Sequence, residues 1–135
     1  MLWVTVAPAV AANTAFTFTV PGHQVWDVIS VQATLSRSIG GTPNRSLRLQ
    51  ITDGTNAVVT TPATDAGTEP GTLTVTWTQA QPSAVSSGSQ GVSMGPLARC
   101  LLPPGYRIIG TVLNGVAADQ WTRAVCWWND GRAYL

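Results

Sequence analysis

The stretch from Leu101 to Trp128, LLPPGYRIIGTVLNGVAADQWTRAVCWW, limits what this chain can fold into more than any other. Pro103-Pro104-Gly105 blocks a helix and sets a turn, because proline fixes φ and glycine tolerates positive φ. Tyr106 to Leu113 is predicted as a strand, rich in β-branched and aromatic residues. Asn114-Gly115 marks a turn. Trp121 to Trp128 is predicted as a second strand, closed by Asn129-Asp130-Gly131. Apolar side chains occupy both faces of both strands. Ile108 and Val112 oppose Ile109 and Leu113; Trp121, Val125 and Trp127 oppose Ala124, Cys126 and Trp128. A strand that is apolar on both sides is covered on both sides. Two arrangements meet that demand: a mid-sheet position under a second layer, or a face that meets another chain.

Upstream, the chain repeats the strand signal. Leu2 to Val6 reads as a short edge strand, and residues 1–13 as an N-terminal arm or edge strand ahead of one domain over 14–135. Thr14 to Val20 alternates, with Phe16, Phe18 and Val20 inward. In Gln24 to Ser36, Val25, Ile29, Val31, Ala33 and Leu35 share one face, and Trp26, Val28, Ser30, Gln32 and Thr34 the other. Asp27 falls on the apolar face near the strand start, at the rim. Ser38 to Asn44 is a Gly/Pro loop. Arg45 to Thr52 alternates with Leu47, Leu49 and Ile51 inward, and Asp53-Gly54-Thr55-Asn56 turns it into Ala57 to Thr61. Thr72 to Gln79 puts Leu73, Val75 and Trp77 inward and a ladder of threonines outward. Thr61 to Gly71 and Gln79 to Gly91 are long polar loops. Val92 to Leu102 is a short strand broken by Gly95-Pro96. The pattern predicts an all-β, antiparallel β-sandwich, jelly-roll-like, with Phe16, Phe18, Ile29, Val31, Leu47, Leu49, Leu73, Val75 and Trp77 in its core.

Charge narrows the function. The chain has 135 residues, a length for one domain. Charged residues make up 10% of it, against a usual share of about 25%. All seven basic residues are arginine, they are scattered, and the net charge is +1. With no basic stripe the sequence argues against nucleic acid, and with no polybasic patch against a charged membrane surface. So little charge leaves a surface suited to lying against neighbours. The N-terminus lacks the basic region of a secretory signal and is read as part of the mature chain. Cys100 and Cys126 read as two small buried apolar residues; one bridge between neighbouring strands stays open.

No residue pattern marks catalysis, a cofactor or a metal site. His23 is the single histidine and follows Pro-Gly in a turn. Asp53 and Asp130 sit in Asp-Gly turns. Asp65 and Glu69 share a polar loop without calcium-ligand spacing. One histidine and two distant cysteines do not make a zinc site. Asn44-Arg45-Ser46 fits a glycosylation pattern with no secretion signal to support it. The tryptophans are more telling. Trp77 belongs to the core by alternation, whereas Trp26, Trp121, Trp127 and Trp128 cannot all share one face. Interfaces are rich in tryptophan, and sugar platforms use it as well. The interface candidates are therefore Leu2, Trp3, Val4, Val6, Val10, Trp26, Trp121 and Trp128.

The segment LLPPGYRIIGTVLNGVAADQW resembles the end of small β-sandwich virion proteins of tailed bacteriophages. There a leucine, proline, glycine, aromatic turn opens one strand, and an alanine, aspartate, glutamine, tryptophan turn opens the last. Here these are Leu102, Pro104, Gly105 and Tyr106, then Ala118, Asp119, Gln120 and Trp121. The resemblance covers about the last third of the chain and implies a non-enzymatic structural role in a virion. A capsid cement or decoration protein bound to the major capsid protein is the first expectation. A tail, connector or head-fibre component, or a carbohydrate-binding module, is the alternative. A homotrimer is expected, since low surface charge and two-faced strands ask for symmetric contacts and a trimer suits local three-fold axes. Attachment is expected through residues 1–13 and the two long loops.

Overall fold

The structure is a computed structural model and describes residues 1–39, 44–81, 83–87 and 91–132. These form twelve strands: β1 (Leu2–Ala7), β2 (Phe16–Thr19), β3 (Trp26–Arg37), β4 (Ser46–Thr52), β5 (Ala57–Thr60), β6 (Thr64–Asp65), β7 (Gly71–Thr78), β8 (Val85–Ser87), β9 (Val92–Pro96), β10 (Leu101–Leu102), β11 (Arg107–Leu113) and β12 (Gln120–Asp130). They make two packed sheets. Sheet A runs β1-β12-β3-β7-β9-β8 with β10 beside β3; sheet B runs β2-β11-β4-β5 with β6 beside β4. The all-β sandwich is as the sequence predicts. One pair departs from a purely antiparallel fold: β7 and β9 run parallel.

The period-two segments produce the core. Phe16, Phe18, Val31, Leu47, Leu49, Leu73, Val75 and Trp77 are all buried. The two strands of the opening stretch end up in the middle of their sheets. β11 lies between β2 and β4, and β12 between β1 and β3. That answers the two-faced pattern on the inner side, because the opposite sheet covers Ile108 on β11 and Trp121 on β12.

Ile29 is a correction. It is only half-buried, while Trp26 and Val28 join the core instead. The pairing with β12 explains this: Trp127 faces Ser30 but Trp128 faces Val28, so Ile29 is the extra residue of a bulge. A bulge shifts the alternation by one residue. Trp26 and Val28 before it therefore share a face with Val31, Ala33 and Leu35 after it. A second irregularity lies between Trp121 and Arg123. It puts Trp121 on the same inner face as Ala124, Cys126 and Trp128, rather than with Val125 and Trp127.

Gly110 shows how tightly β11 is packed. A Cβ there would collide with the ring of Phe16, which lies flat against Trp121 at 5.0 Å between centroids and 10° between planes. Gly105 performs a different task. Its φ of 86° makes the turn that brings its N–H to the Val20 carbonyl, 2.9 Å away.

Candidate functional site

Two regions stand apart from the ordinary sandwich, and each inverts the rule that charge lies outside and apolar groups inside. The first is the end of the sandwich where the loops after β3, β5 and β11 meet. Arg45, just before β4, is fully buried, and its guanidinium lies 3.1 Å from the Asp119 carboxylate. The same guanidinium donates to the carbonyls of Gly67 (2.9 Å), Ser38 (3.3 Å) and Glu69 (2.9 Å). Asp119 in turn accepts from the Ser38 N–H and hydroxyl and from the Val116 N–H. Arg37 is buried beside them and donates to the carbonyls of Gly71 and Ala66. Burial alone would raise the Asp119 pKa. The Ser38 and Val116 N–H groups, the Arg45 charge and the Ser38 hydroxyl outweigh it and hold that pKa below the usual value. Burial and the neighbouring Arg45 charge push Arg37 down from its ordinary value.

This knot changes how the polar loop is read. The loop Thr61 to Gly71, a candidate for attachment, is anchored to the frame: two arginines pin its carbonyls, Thr64 pairs with Leu47, and Thr61, Thr64 and Ala66 are buried. The second loop, Gln79 to Gly91, carries β8 and lies partly outside the described residues, as does part of the loop Ser38 to Asn44. Arg45, read in sequence as a strand start and the middle of a glycosylation pattern, is the structural centre of this end.

The second region is the β1 edge. β1 pairs with β12 along its whole length, from Leu2 opposite Asn129 to Ala7 opposite Ala124. Among the described residues its other edge meets no strand. Leu2 (55%), Trp3 (48%), Val4 (54%) and Val6 (51%) stay about half exposed. Trp3, Thr5 and Ala7 share the inner face with Trp128, Cys126 and Ala124. Leu2, Val4 and Val6 share the outer face with Asn129, Trp127 and Val125. On the inner side three indoles from neighbouring strands form a ladder. Trp26 stacks on Trp128 at 4.8 Å, and Trp128 on Trp3 at 5.9 Å, with planes within 20°. Trp128 Nε1 donates to Thr5 Oγ1 at 3.0 Å. The arm beyond β1 is fastened too: Val10 N–H donates to the Trp121 carbonyl, and Gln120 Nε2 to the Val10 carbonyl.

The eight interface candidates thus divide. Leu2, Trp3, Val4 and Val6 line one open edge. Val10 is half-buried against the core. Trp26, Trp121 and Trp128 are buried at 2%, 1% and 8% exposure and hold the sandwich together, with Trp26 and Trp128 reaching the floor of the groove beside β1. For Trp26 and Trp121 a bulge changes the face without any compositional mark, whereas Trp128 keeps the face it shares with Ala124 and Cys126.

The outer face of sheet A continues the apolar character of β1. Val125 and Trp127 adjoin Val4. Next come Ser30, Gln32 and Thr34 of β3, then Thr72, Thr74, Thr76 and Thr78 of β7, with Gln32 bonded to Thr76. Val92 and Val85 stand exposed on the far side. Among the described residues of this face Arg123 is the charge on the central strands, and Asp27 lies with Arg99 at one end. Asp27, expected at the rim, is buried at 6% exposure. Sheet B instead turns Arg48 and Arg107 outward.

The remaining polar groups have local work. Asp53 accepts from Thr55 and Asn56 in its turn. Asp65 accepts from the Gly67 N–H. Asp130 is held down to about 2, chiefly by hydrogen bonds from Arg132. His23 sits exposed in its turn at positive φ. Cys100 and Cys126 are free thiols; burial pushes Cys126 up to about 12. Among the described residues no cluster of three or more His, Cys, Asp or Glu gathers, and no helix is long and apolar enough to cross a membrane.

No protein-family model matches the chain, and no curated protein does either.

Proposed function

We propose that the chain is a non-enzymatic structural protein of a bacteriophage virion, a cement or decoration protein that binds and stabilises the head shell. The observation that carries this reading is the nearly uncharged outer face of sheet A, bordered by the open apolar edge of β1. A face of that kind is unusual for a chain that stays alone in water, and it suits a protein that ends against a lattice of other subunits. The residues of the phage-like segment support the same reading, since five of the eight have an architectural task. Leu102 and Trp121 are core residues, Gly105 makes the turn, Asp119 ties the loops, and Gln120 fastens the arm. A rigid frame with a bland face is what a passive binding subunit needs.

A carbohydrate-binding module is the second reading, favoured by one observation. A pocket beside the exposed Trp3 ring is also lined by His23, Gln24, Asp130 and Arg132, a mix of indole and planar polar groups that suits a sugar. The test that separates the two readings is a pull-down of the purified chain with virions or empty heads stripped of it, followed by electron microscopy. Density for the chain on the head shell supports the cement reading. Failure to bind particles, together with saturable quenching of tryptophan fluorescence by sugars, replaces it with the module.

A further inference from the structure

Natural sheets protect their edges with lysine, proline, bulges or covering loops, because an open edge pairs with any strand that fits. β1 has none of these along Leu2–Ala7. The first 26 residues hold no charged side chain at all, and the register of β1 against β12 runs without a bulge. Such an edge is built to be filled, and its sequence says by what.

We propose that a second copy of this chain fills it: two β1 strands pair antiparallel about a two-fold axis at Val4, joining two copies of sheet A into one continuous sheet. The register follows from the faces. Paired residues in a sheet share a face, and a two-fold axis perpendicular to the sheet keeps the inner faces together. The partner numbers must then sum to an even value, and a sum of eight pairs Leu2 through Val6, all of β1 but Ala7. Val4 meets the partner's Val4, and Leu2 meets the partner's Val6, which closes an apolar outer strip. Trp3 meets the partner's Thr5. The ladder Trp26–Trp128–Trp3 ends on an indole face with no neighbouring strand, and Thr5 of the second copy supplies the next rung. No side-chain charge complementarity is required, because β1 carries no charged side chain.

About half of four large side chains and most of Met1 lie open, on the order of 500 Å² per copy, so the strand pair can cover at most about 1,000 Å², the lower bound for a specific contact. β2 adds to it. It is the edge of sheet B on the same side, and an apolar groove lined by Trp3, Thr5, Thr17, Phe18 and Trp26 separates β1 from β2. An isologous contact of this kind makes a dimer, in place of the trimer expected from the sequence. The inference stands on the edge alone and does not need the virion reading.

Cysteine cross-linking tests the register. Directly opposed residues of antiparallel strands have Cα atoms about 4.5–5.5 Å apart, within reach of a disulfide. Val4→Cys, at an exposed position, is expected to oxidise to a covalent dimer. Leu2→Cys alone is expected not to, while a mixture of Leu2→Cys and Val6→Cys chains gives the mixed dimer. Val4→Lys is expected to weaken dimerisation at least tenfold in analytical ultracentrifugation while keeping the melting temperature that the wild type shows at dilutions where it is monomeric. The proposal is overturned if the wild-type chain is monomeric at the highest soluble concentration or sediments as a trimer. It is equally overturned if Val4→Lys dimerises like wild type, or if Leu2→Cys cross-links as readily as Val4→Cys.

Discussion

The Arg45–Asp119 end and the β1 edge make opposite use of the same scarce charge. At the first, an arginine and an aspartate leave water entirely, and the chain itself answers them. Five hydrogen bonds from Arg45 and three into Asp119 bind three loops into one piece. At the second, four large apolar side chains and a row of backbone groups remain in water, and nothing among the described residues answers them. Buried polarity that is satisfied within the fold makes a region self-sufficient. Exposed apolar surface on an open edge makes a region incomplete. The difference teaches where to look for function in a fold without chemistry: at the end whose interactions are not closed.

The sharpest way to break the contrast is to open the closed end. Arg45→Ala or Asp119→Ala leaves its partner buried and uncompensated, and the expected loss is about 3–5 kcal/mol in urea unfolding. A loss under about 1 kcal/mol would mean that water already reaches the pair. Gly110→Ala comes next. The new methyl must displace Phe16 from its stack on Trp121, and overpacking of that kind costs about 1–3 kcal/mol. The effect is expected in thermal melts, with no change in self-association.

Acid gives a smaller, graded version of the first test. The Asp119 pKa is depressed in the fold, so its contribution is whole above the unfolded value of about 3.9 and is lost as pH falls through the folded value. Urea midpoints are expected to be flat from neutrality down to about pH 5 and to decline below about pH 4. In Asp119→Asn the decline should shrink. The smallest effect on the lone chain is expected at the open edge. Trp3→Ala should change monomer stability by about 1 kcal/mol or less, because the ring is half exposed, yet it should weaken self-association.

Much of this was legible in sequence, for a physical reason. Where one face of a strand is buried, alternation writes the register into the residues, and β2, β4 and β7 follow it throughout. Arg45 could have been read by the same rule. It shares parity with Leu47, Leu49 and Ile51, as Arg37 does with Leu35 and Asp119 with Trp121. Parity pointed all three inward, and their charge concealed it. The bulges at Ile29 and after Trp121 were not legible, because an extra residue changes phase without changing composition. They explain why alternation alone puts Trp26 and Trp121 on the wrong face. The open edge was half legible. The apolar arm was visible, but whether it completed its own sheet or reached for another depended on a pairing with β12 more than a hundred residues away.

Amide hydrogen exchange at increasing protein concentration tests the contrast most directly. In an edge strand about half the N–H groups point away from the only neighbour, and in β1 these face the open side. The account predicts that these β1 amides exchange rapidly in dilute solution and gain protection as concentration rises. Over the same range the amides of Ser38, Ala66 and Val116, held at the closed end, should stay slow and unchanged. Protection of β1 that is independent of concentration would contradict it, for the edge would then need no second copy.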